Sequence, residues 1–354
     1  MILKMKENRV WRLYLGGKLL DELHGREGAD GRFPEDWLGS VVEAINPDRP
    51  GKPAQEGLSE ALLPEGSTAF LRDLIVAQPE KMLGQAHCDA LGANFGVLTK
   101  FLDSAERLPI QVHPSRADAK RLFHSDYGKT EAWYILAGRV IDGEEPYILM
   151  GFKGDVTPAK LRTLFDTQDT EGMAALMHKI PVKPGEVYLI EGGTPHAIGP
   201  GCLLLEVQEP TDYTISLETH DMAGNDVPEQ LIHQGLGFER MFECFDYRKQ
   251  SIEELLAAYR LEPAVLGDGY EELIPYTRTR CFGLRRRNVD GEVLVGSAGR
   301  AYTLAVTRGT GTIGDIEVRQ EVKPGDCLFV SADEGSYSIR GEGMEVLECL
   351  PPAL

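Results

Sequence analysis

Short apolar runs closed by glycine turns recur along the chain, and such runs predict strands more often than helices. The segment Val182-Lys183-Pro184-Gly185-Glu186-Val187-Tyr188-Leu189-Ile190 returns as Val322-Lys323-Pro324-Gly325-Asp326-Cys327-Leu328-Phe329-Val330, in each copy a Pro-Gly turn leading into a strand. Upstream of each copy lies another apolar run ending in glycine, Trp133 to Gly138 and Leu304 to Gly309. That rhythm predicts a double-stranded antiparallel barrel, present twice. Within the first copy, residues 152 to 180 form an insertion. Thr157 precedes Pro158 as an N-cap, and a second start follows near Asp169-Thr170-Glu171, so two short helices are expected there. Further helices are expected from Ser115 to Phe123 and from Ser251 to Tyr259, the latter with Glu253 and Glu254 in its first turn. The expected fold is mainly β with helical insertions: two double-stranded β-helix (jelly-roll) barrels plus a helical segment. The expected units are 1–222 with its insertion at about 152–180, a helical segment over 223–262, and a second barrel over 263–354. The polar stretches 46–58 and 262–270 are the expected linkers.

A chain of 354 residues holds roughly two domains at ~150 residues each. Its 42% hydrophobic and 26% charged residues are those of a folded soluble protein. The 37 basic against 56 acidic residues give a net charge of −19, which argues against nucleic-acid and anionic-membrane partners. Any anionic substrate must then be met by a few locally placed cations. The N-terminus has no apolar run fit for a signal peptide and no stretch is long enough to span a bilayer, so a cytoplasmic location is the default. Six cysteines without C-x-x-C spacing read as reduced thiols.

The segment Leu108-Pro109-Ile110-Gln111-Val112-His113-Pro114 carries the most chemistry. Residues two apart on a strand point the same way, so Gln111 and His113 share a face. Gly128-Lys129-Thr130-Glu131 enters the next apolar strand, and Gly193-Thr194-Pro195-His196-Ala197-Ile198-Gly199 meets the other strand of that barrel. Two imidazoles, a carboxylate and an amide oxygen make a mixed N/O ligand set for a divalent metal, and sets of this kind hold zinc, Mn, Co or Fe.

Glu131 followed by Gly138, and Gly185 followed by His196, resemble the paired motifs of the cupin superfamily. Gln111 stands where the first motif histidine would be, and Glu191 replaces the motif proline. Those departures, with the G-K-T-E and G-T-P-H-A-I-G segments, resemble the type I mannose-6-phosphate isomerases, which are zinc-dependent cupins. The resemblance extends through Leu15-Gly16-Gly17, Glu35-Asp36-Trp37-Leu38-Gly39-Ser40, Lys100-Phe101-Leu102-Asp103 and Glu206-Val207-Gln208-Glu209. It implies Gln111, His113, Glu131 and His196 as metal ligands and a sugar phosphate as substrate. The implied activity is a metal-dependent aldose-ketose isomerase, with mannose 6-phosphate and fructose 6-phosphate the first candidate pair and an enediolate between them. Lys129 and Glu206 are the candidate catalytic residues, and Lys100 and Lys129 the candidate substrate-binding cations. At two positions the family pattern is broken: Pro109 stands for a serine and Ser216 for an arginine implicated in handling the sugar phosphate. Either another arginine, such as Arg116 or Arg139, supplies the missing contact, or the substrate differs from mannose 6-phosphate. The alternatives are isomerisation of a different sugar, a non-catalytic sugar-binding or regulatory cupin, and, more weakly, a metal-dependent dioxygenase.

The second barrel copy is an internal control. Alignment on the repeated turns puts Tyr302 opposite Glu131 and Ser336 opposite His196, so that copy is expected to lack the metal ligands and serve structure. Gly309-Thr310-Gly311-Thr312-Ile313-Gly314 spells a dinucleotide fingerprint, but the alternating stretch 315–322 predicts a strand where that fingerprint needs a helix.

Overall fold

The computed structural model describes every residue of the chain except 48, 316 and 317. The repeated segments define its two barrels. Val187–Ile190 pairs antiparallel with Glu131–Gly138, with Ile190 opposite Glu131. Cys327–Val330 pairs in the same way with Tyr302–Gly314, with Val330 opposite Tyr302. In both copies the Pro-Gly turn delivers a buried four-residue strand to the sheet.

The first barrel is built from a seven-stranded sheet and a five-stranded one. In the former, the edge strand Arg260–Leu261 pairs with Val187–Ile190, and Glu131–Gly138 lies between Val187–Ile190 and Cys202–Gln208, followed by Leu98–Asp103, Glu35–Leu38 and Arg9–Val10. The latter runs Met177–Pro181, Tyr147–Phe152, His196–Ile198, Gln111–Val112, Ile215–Ser216. Trp133, Ile135, Ile148, Met150, Ile190 and Leu204 fill the space between them. This burial, of the order of 2 kcal/mol for each large side chain, holds the two sheets face to face.

The other faces of both sheets are also covered. The insertion folds as helices Pro158–Asp166 and Thr170–Ala175, whose N-caps Thr157 and Asp169 accept from the backbone N–H groups of Lys160 and Gly172. Leu161, Phe165 and Met173 from these helices pack on Ile110, Leu149 and Phe152. Residues 229–259 add short helices, ending in Ile252–Tyr259, where Ser251 and Glu254 form a complete capping box. Ser115 caps the turn at Arg116–Asp118, which continues as a wider π-helical turn over Ala119–Phe123. Three helices not expected from sequence, Leu71–Ala77, Pro79–Leu83 and Gln85–Leu91, wedge Leu71, Ile75 and Leu83 against the outer face of the seven-stranded sheet and the second barrel. Pro79, Gly84 and Gly92 cut this run into pieces too short to show a helical period.

The second barrel is one curled sheet in the order Ile2–Lys4, Cys327–Val330, Tyr302–Gly314, Ser336–Leu350, Gly283–Gly296, Tyr270–Ile274, Ala264–Gly267, with Arg319–Val322 beside Tyr302–Gly314. The N-terminal strand therefore completes the sheet of the C-terminal barrel. The expected linker 262–270 is instead an edge hairpin, Ala264–Gly267 against Tyr270–Ile274. Its first strand is exposed, Val265 included, so its composition reads as a linker although its backbone is paired. In the expected linker 46–58, the described residues carry neither helix nor strand, and residue 48 lies outside them. Of the stretch 315–322, Arg319–Val322 is a strand and 316 and 317 lie outside the described residues. The glycine-rich fingerprint lies within Tyr302–Gly314. A Cβ on Gly311 would come within 2.0 Å of the Arg340 carbonyl oxygen, so close strand approach demands that glycine. Among the described residues no helix is long and apolar enough to cross a membrane.

Candidate metal centre and substrate pocket

Three strand ends meet at one mouth of the first barrel. Pro109 and Pro114 confine the ligand strand to Gln111–Val112, and His113 follows it directly. Gln111 is the Cα partner of His196, the first residue of its own strand, while Glu131 opens the neighbouring strand of the facing sheet. His113 Nε2 lies 3.1 Å from Glu131 Oε2, and His196 Nε2 lies 3.4 Å from Glu131 Oε1. The Gln111 amide is 3.3 Å from His196 Nε2. Donor atoms of His113, Glu131 and His196 all lie within 4.8 Å of one another, and the three side chains are buried. The sequence thus identifies four residues that the fold brings together.

Several features of the set suit a cation. His113 Nδ1 sits 2.8 Å from the Tyr213 carbonyl oxygen and His196 Nδ1 2.9 Å from that of Thr194. A carbonyl can only accept, so both Nδ1 atoms carry the proton and both Nε2 lone pairs face the centre. Burial, with help from Lys129, pushes His113 down to about 3, and burial lowers His196 as well, so both imidazoles are neutral near pH 7. Burial alone would raise the Glu131 carboxyl, but Lys129 beside it holds it well below its ordinary value. Its Oε1 is buried without any hydrogen-bond partner, a costly condition that a bound ion relieves. Lys129 Nζ lies 2.8 Å from His113 Nε2 and 2.7 Å from Glu131 Oε2, so the set already accommodates one positive charge. These donors fit a divalent metal.

Beside this centre opens a cavity of about 120 Å³ whose walls include Gln111, Lys129, Lys100, Glu206, Pro109 and Ser216. Lys100 Nζ is 3.0 Å from Glu206 Oε2 and 3.7 Å from Glu35 Oε2. Burial would discharge Lys100, but those two carboxylates raise its ammonium above its ordinary value. Glu206 accepts from Trp133 Nε1 at 3.1 Å, and burial together with Glu131 pushes its carboxyl up. Ser216 donates its hydroxyl to the Glu218 carbonyl.

The expected replacement arginine is elsewhere. Arg116 pairs with Glu209, and Arg139 with Asp30, and neither reaches the cavity wall. Arg12 does instead, with its guanidinium 3.0 Å from Glu35 Oε1, 3.1 Å from Asp212 Oδ1 and 5.0 Å from the centre of the Trp37 ring. Arg12, Glu35 and Asp212 come from three distant segments, and only the charge of Arg12 next to the Leu15-Gly16-Gly17 segment marked it in the sequence.

The chain's resemblances agree with this geometry. A family model described as phosphomannose isomerase type I, catalytic domain, matches residues 59–132. A putative mannose-6-phosphate isomerase, YvyI of Bacillus subtilis (strain 168), is 35% identical over 252 residues, 71% of this chain and 73% of the relative. The probable mannose-6-phosphate isomerase GmuF of the same organism is 26% identical over 250 residues, with the same shares covered. Among solved structures, the mannose 6-phosphate isomerase of Bacillus subtilis superposes with a TM-score of 0.76 at 21% identity, covering 98% of this chain and 99% of that one. A zinc-bound mannose 6-phosphate isomerase gives 0.75 at 17% identity over 99% of this chain and 100% of that one.

Proposed function

The chain belongs to the type I phosphomannose isomerase family, and from that premise we infer that it interconverts mannose 6-phosphate and fructose 6-phosphate. The observation that carries this reading is the Glu131 carboxylate, its Oε1 unpartnered, facing two imidazoles whose Nδ1 protons are committed to carbonyls. Gln111, His113, Glu131 and His196 would hold the ion, zinc being the first choice. The Gln111 amide would then turn its oxygen inward, an orientation set by the hydrogen-bond network. Once bound, the ion supplies Lewis acidity toward the sugar oxygens on C1 and C2.

The rest of the chemistry falls to the chain. Glu206, its proton affinity raised by burial, takes the proton from C2 of the aldose on Oε2 and returns it to C1 through an enediolate. Lys129 Nζ, between the donor set and the cavity, gives a proton to the sugar oxygen O1 as negative charge develops there and takes the O2 hydroxyl proton in return, so that C2 closes to the ketone and the lysine is restored. Lys100 and Arg12 provide the cations for the phosphate end. A second reading, another aldose as substrate, is favoured by Pro109 and Ser216 in the cavity wall where the family pattern has a serine and an arginine.

Coupled turnover of mannose 6-phosphate by zinc-loaded protein tests the proposal, with the His113→Ala/His196→Ala variant as control. Turnover that is lost with the metal in the variant supports it. Metal binding with no turnover of this substrate, but turnover of another aldose in a panel, selects the second reading.

A further inference from the structure

The second barrel keeps a pocket at the place where the first barrel has its substrate cavity. In the first barrel Glu206 faces Trp133 on one side and Lys100 on the other. In the second, Glu348 faces Leu304 and Arg285. Since Glu131 and Tyr302 hold the same register against the repeated strand, Glu348 is the counterpart of Glu206, Arg285 of Lys100, and Tyr302 of Glu131. An acid thus faces a base across the same two strands in both barrels, with a phenol in the second where the first has the Glu131 carboxylate.

Around this pair lies a cavity of about 250 Å³, with Arg285, Arg287, Arg300, Glu348, Tyr270 and Tyr302 in its walls. Glu348 is already satisfied. Arg287 donates to its Oε1 from Nε and a terminal nitrogen at 3.0 and 2.9 Å, and Tyr270 Oη donates to its Oε2 at 2.8 Å. Arg287 also stacks 3.7 Å over the Tyr270 ring. Arg285 is loosely held, with contacts of 3.3 Å to Tyr270 Oη and 3.4 Å to Glu272 Oε1, and its Nε is buried without a partner. Arg300 uses one terminal nitrogen, on Tyr276 Oη and the Pro352 carbonyl. Its loop is constrained: Ala298 sits at φ 53°, a left-handed value unusual for alanine, and Ser297 Oγ donates to the Ala332 and Glu334 carbonyls. Three guanidinium groups against two carboxylates, Glu348 in the wall and Glu272 behind Arg285, leave one surplus positive charge and unused donors, in a chain whose net charge is −19.

We propose that this second-barrel cavity is a metal-free binding site for a small oxyanion-bearing metabolite, a phosphate ester or a carboxylate, gripped by Arg285 and Arg300. Guanidinium forks match both anions, and the cavity volume suits a ligand no larger than a sugar phosphate. With a phenol where the first barrel has its metal-ligating carboxylate, the site binds its ligand without converting it.

The test is calorimetric titration of the full metal-loaded chain and of the His113→Ala/His196→Ala variant with inorganic phosphate, glucose 6-phosphate and citrate. Binding of at least one probe is expected in both proteins, with Kd raised about tenfold or more in Arg285→Gln and in Arg300→Gln. Response to phosphate and glucose 6-phosphate alone assigns a phosphate ester, and response to citrate alone a carboxylate. Arg285→Gln should leave mannose 6-phosphate turnover and the thermal midpoint unchanged, and Arg300→Gln serves as an independent variant. The proposal is overturned if no probe binds at about 10 mM, or if binding survives both arginine substitutions and vanishes with His113 and His196.

Discussion

Lys100 offers the sharpest test of how the catalytic cavity is held together. Its ammonium is almost fully buried, 3.0 Å from Glu206, 3.7 Å from Glu35 and 5.0 Å from the centre of the Trp37 ring. At an effective dielectric constant of about 20, each of the two ion contacts is worth of the order of 5 kcal/mol before desolvation is charged against it. Lys100→Met keeps the volume of the side chain and removes the charge, leaving two buried carboxylates without that cation. Breaking a buried pair in this way costs about 3–5 kcal/mol. Glu206→Gln alone should cost less, because the amide oxygen introduced there still accepts from Trp133 Nε1 while Lys100 retains Glu35. The double variant then isolates the pair, with an expected coupling of about 2–4 kcal/mol. Urea unfolding of metal-loaded wild type and the three variants measures it. The cavity should respond chemically as well. Lys100 draws the Glu206 carboxyl down against burial and Glu131, so its removal raises that group further and moves the acid limb of the turnover profile to higher pH. A coupling below about 0.5 kcal/mol, the value of an exposed pair, would refute the reasoning.

Three further outcomes follow from other parts of the molecule. Lys129→Ala should leave metal content intact and lower kcat by about 10²-fold or more, since Lys129 Nζ contacts Glu131 and His113 but belongs to the proposed oxyanion donors; metal analysis beside turnover checks this. Asp103, raised by burial from an ordinary 3.8 to about 6, binds protons more tightly in the folded than the unfolded chain, so its contribution to stability is complete below pH 4 and lost as pH rises through 6. Relative to Asp103→Asn, wild type should therefore lose about 2.4 kcal/mol between pH 4 and pH 7 in urea unfolding, and a difference independent of pH would reject the assignment. Ser251→Ala removes the acceptor for the Glu254 N–H and half of a capping box, and should cost about 1 kcal/mol in the same assay without affecting turnover.

What could be read from the sequence depended on whether the informative residues were neighbours along the chain. The two barrels were legible because a Pro-Gly turn and four buried residues repeat nearly unchanged. The insertion was legible because Thr157 and Asp169 are caps that act within three residues. The meeting of four residues at one barrel mouth was legible because Gln111 and His113 share a strand face and Glu131 and His196 open strands beside glycine turns. The cavity walls were legible only in part, through Lys100, Lys129 and Glu206. Arg12, Glu35 and Asp212 come together through strand order, and each alone has the appearance of a solvated charge. Arg116 and Arg139 failed as replacements for the same reason, since Glu209 and Asp30 hold them away from the cavity. The edge hairpin at 264–274 was missed because an exposed edge strand needs no alternation of burial to form its hydrogen bonds.

The repeat also explains why the chemistry occupies one barrel when the scaffold occurs twice. Strand register conserves backbone positions and says nothing about the atoms placed on them. Glu131 and Tyr302 hold the same position against the same repeated strand, yet Glu131 Oε1 is left facing two imidazoles, whereas Tyr302 Oη is spent on a 2.7 Å hydrogen bond to Tyr337. The first arrangement leaves an unsatisfied buried acceptor, which costs stability of the order of 1–3 kcal/mol unless something positive arrives. The second is closed on itself and costs nothing to bury. The barrel carrying the unrelieved oxygen is therefore the one prepared to take a metal. The barrel in which Tyr302 is closed on Tyr337 contributes its strands, its packing against Leu71 and Ile75 through Ala305 and Phe329, and a row of arginines at its mouth.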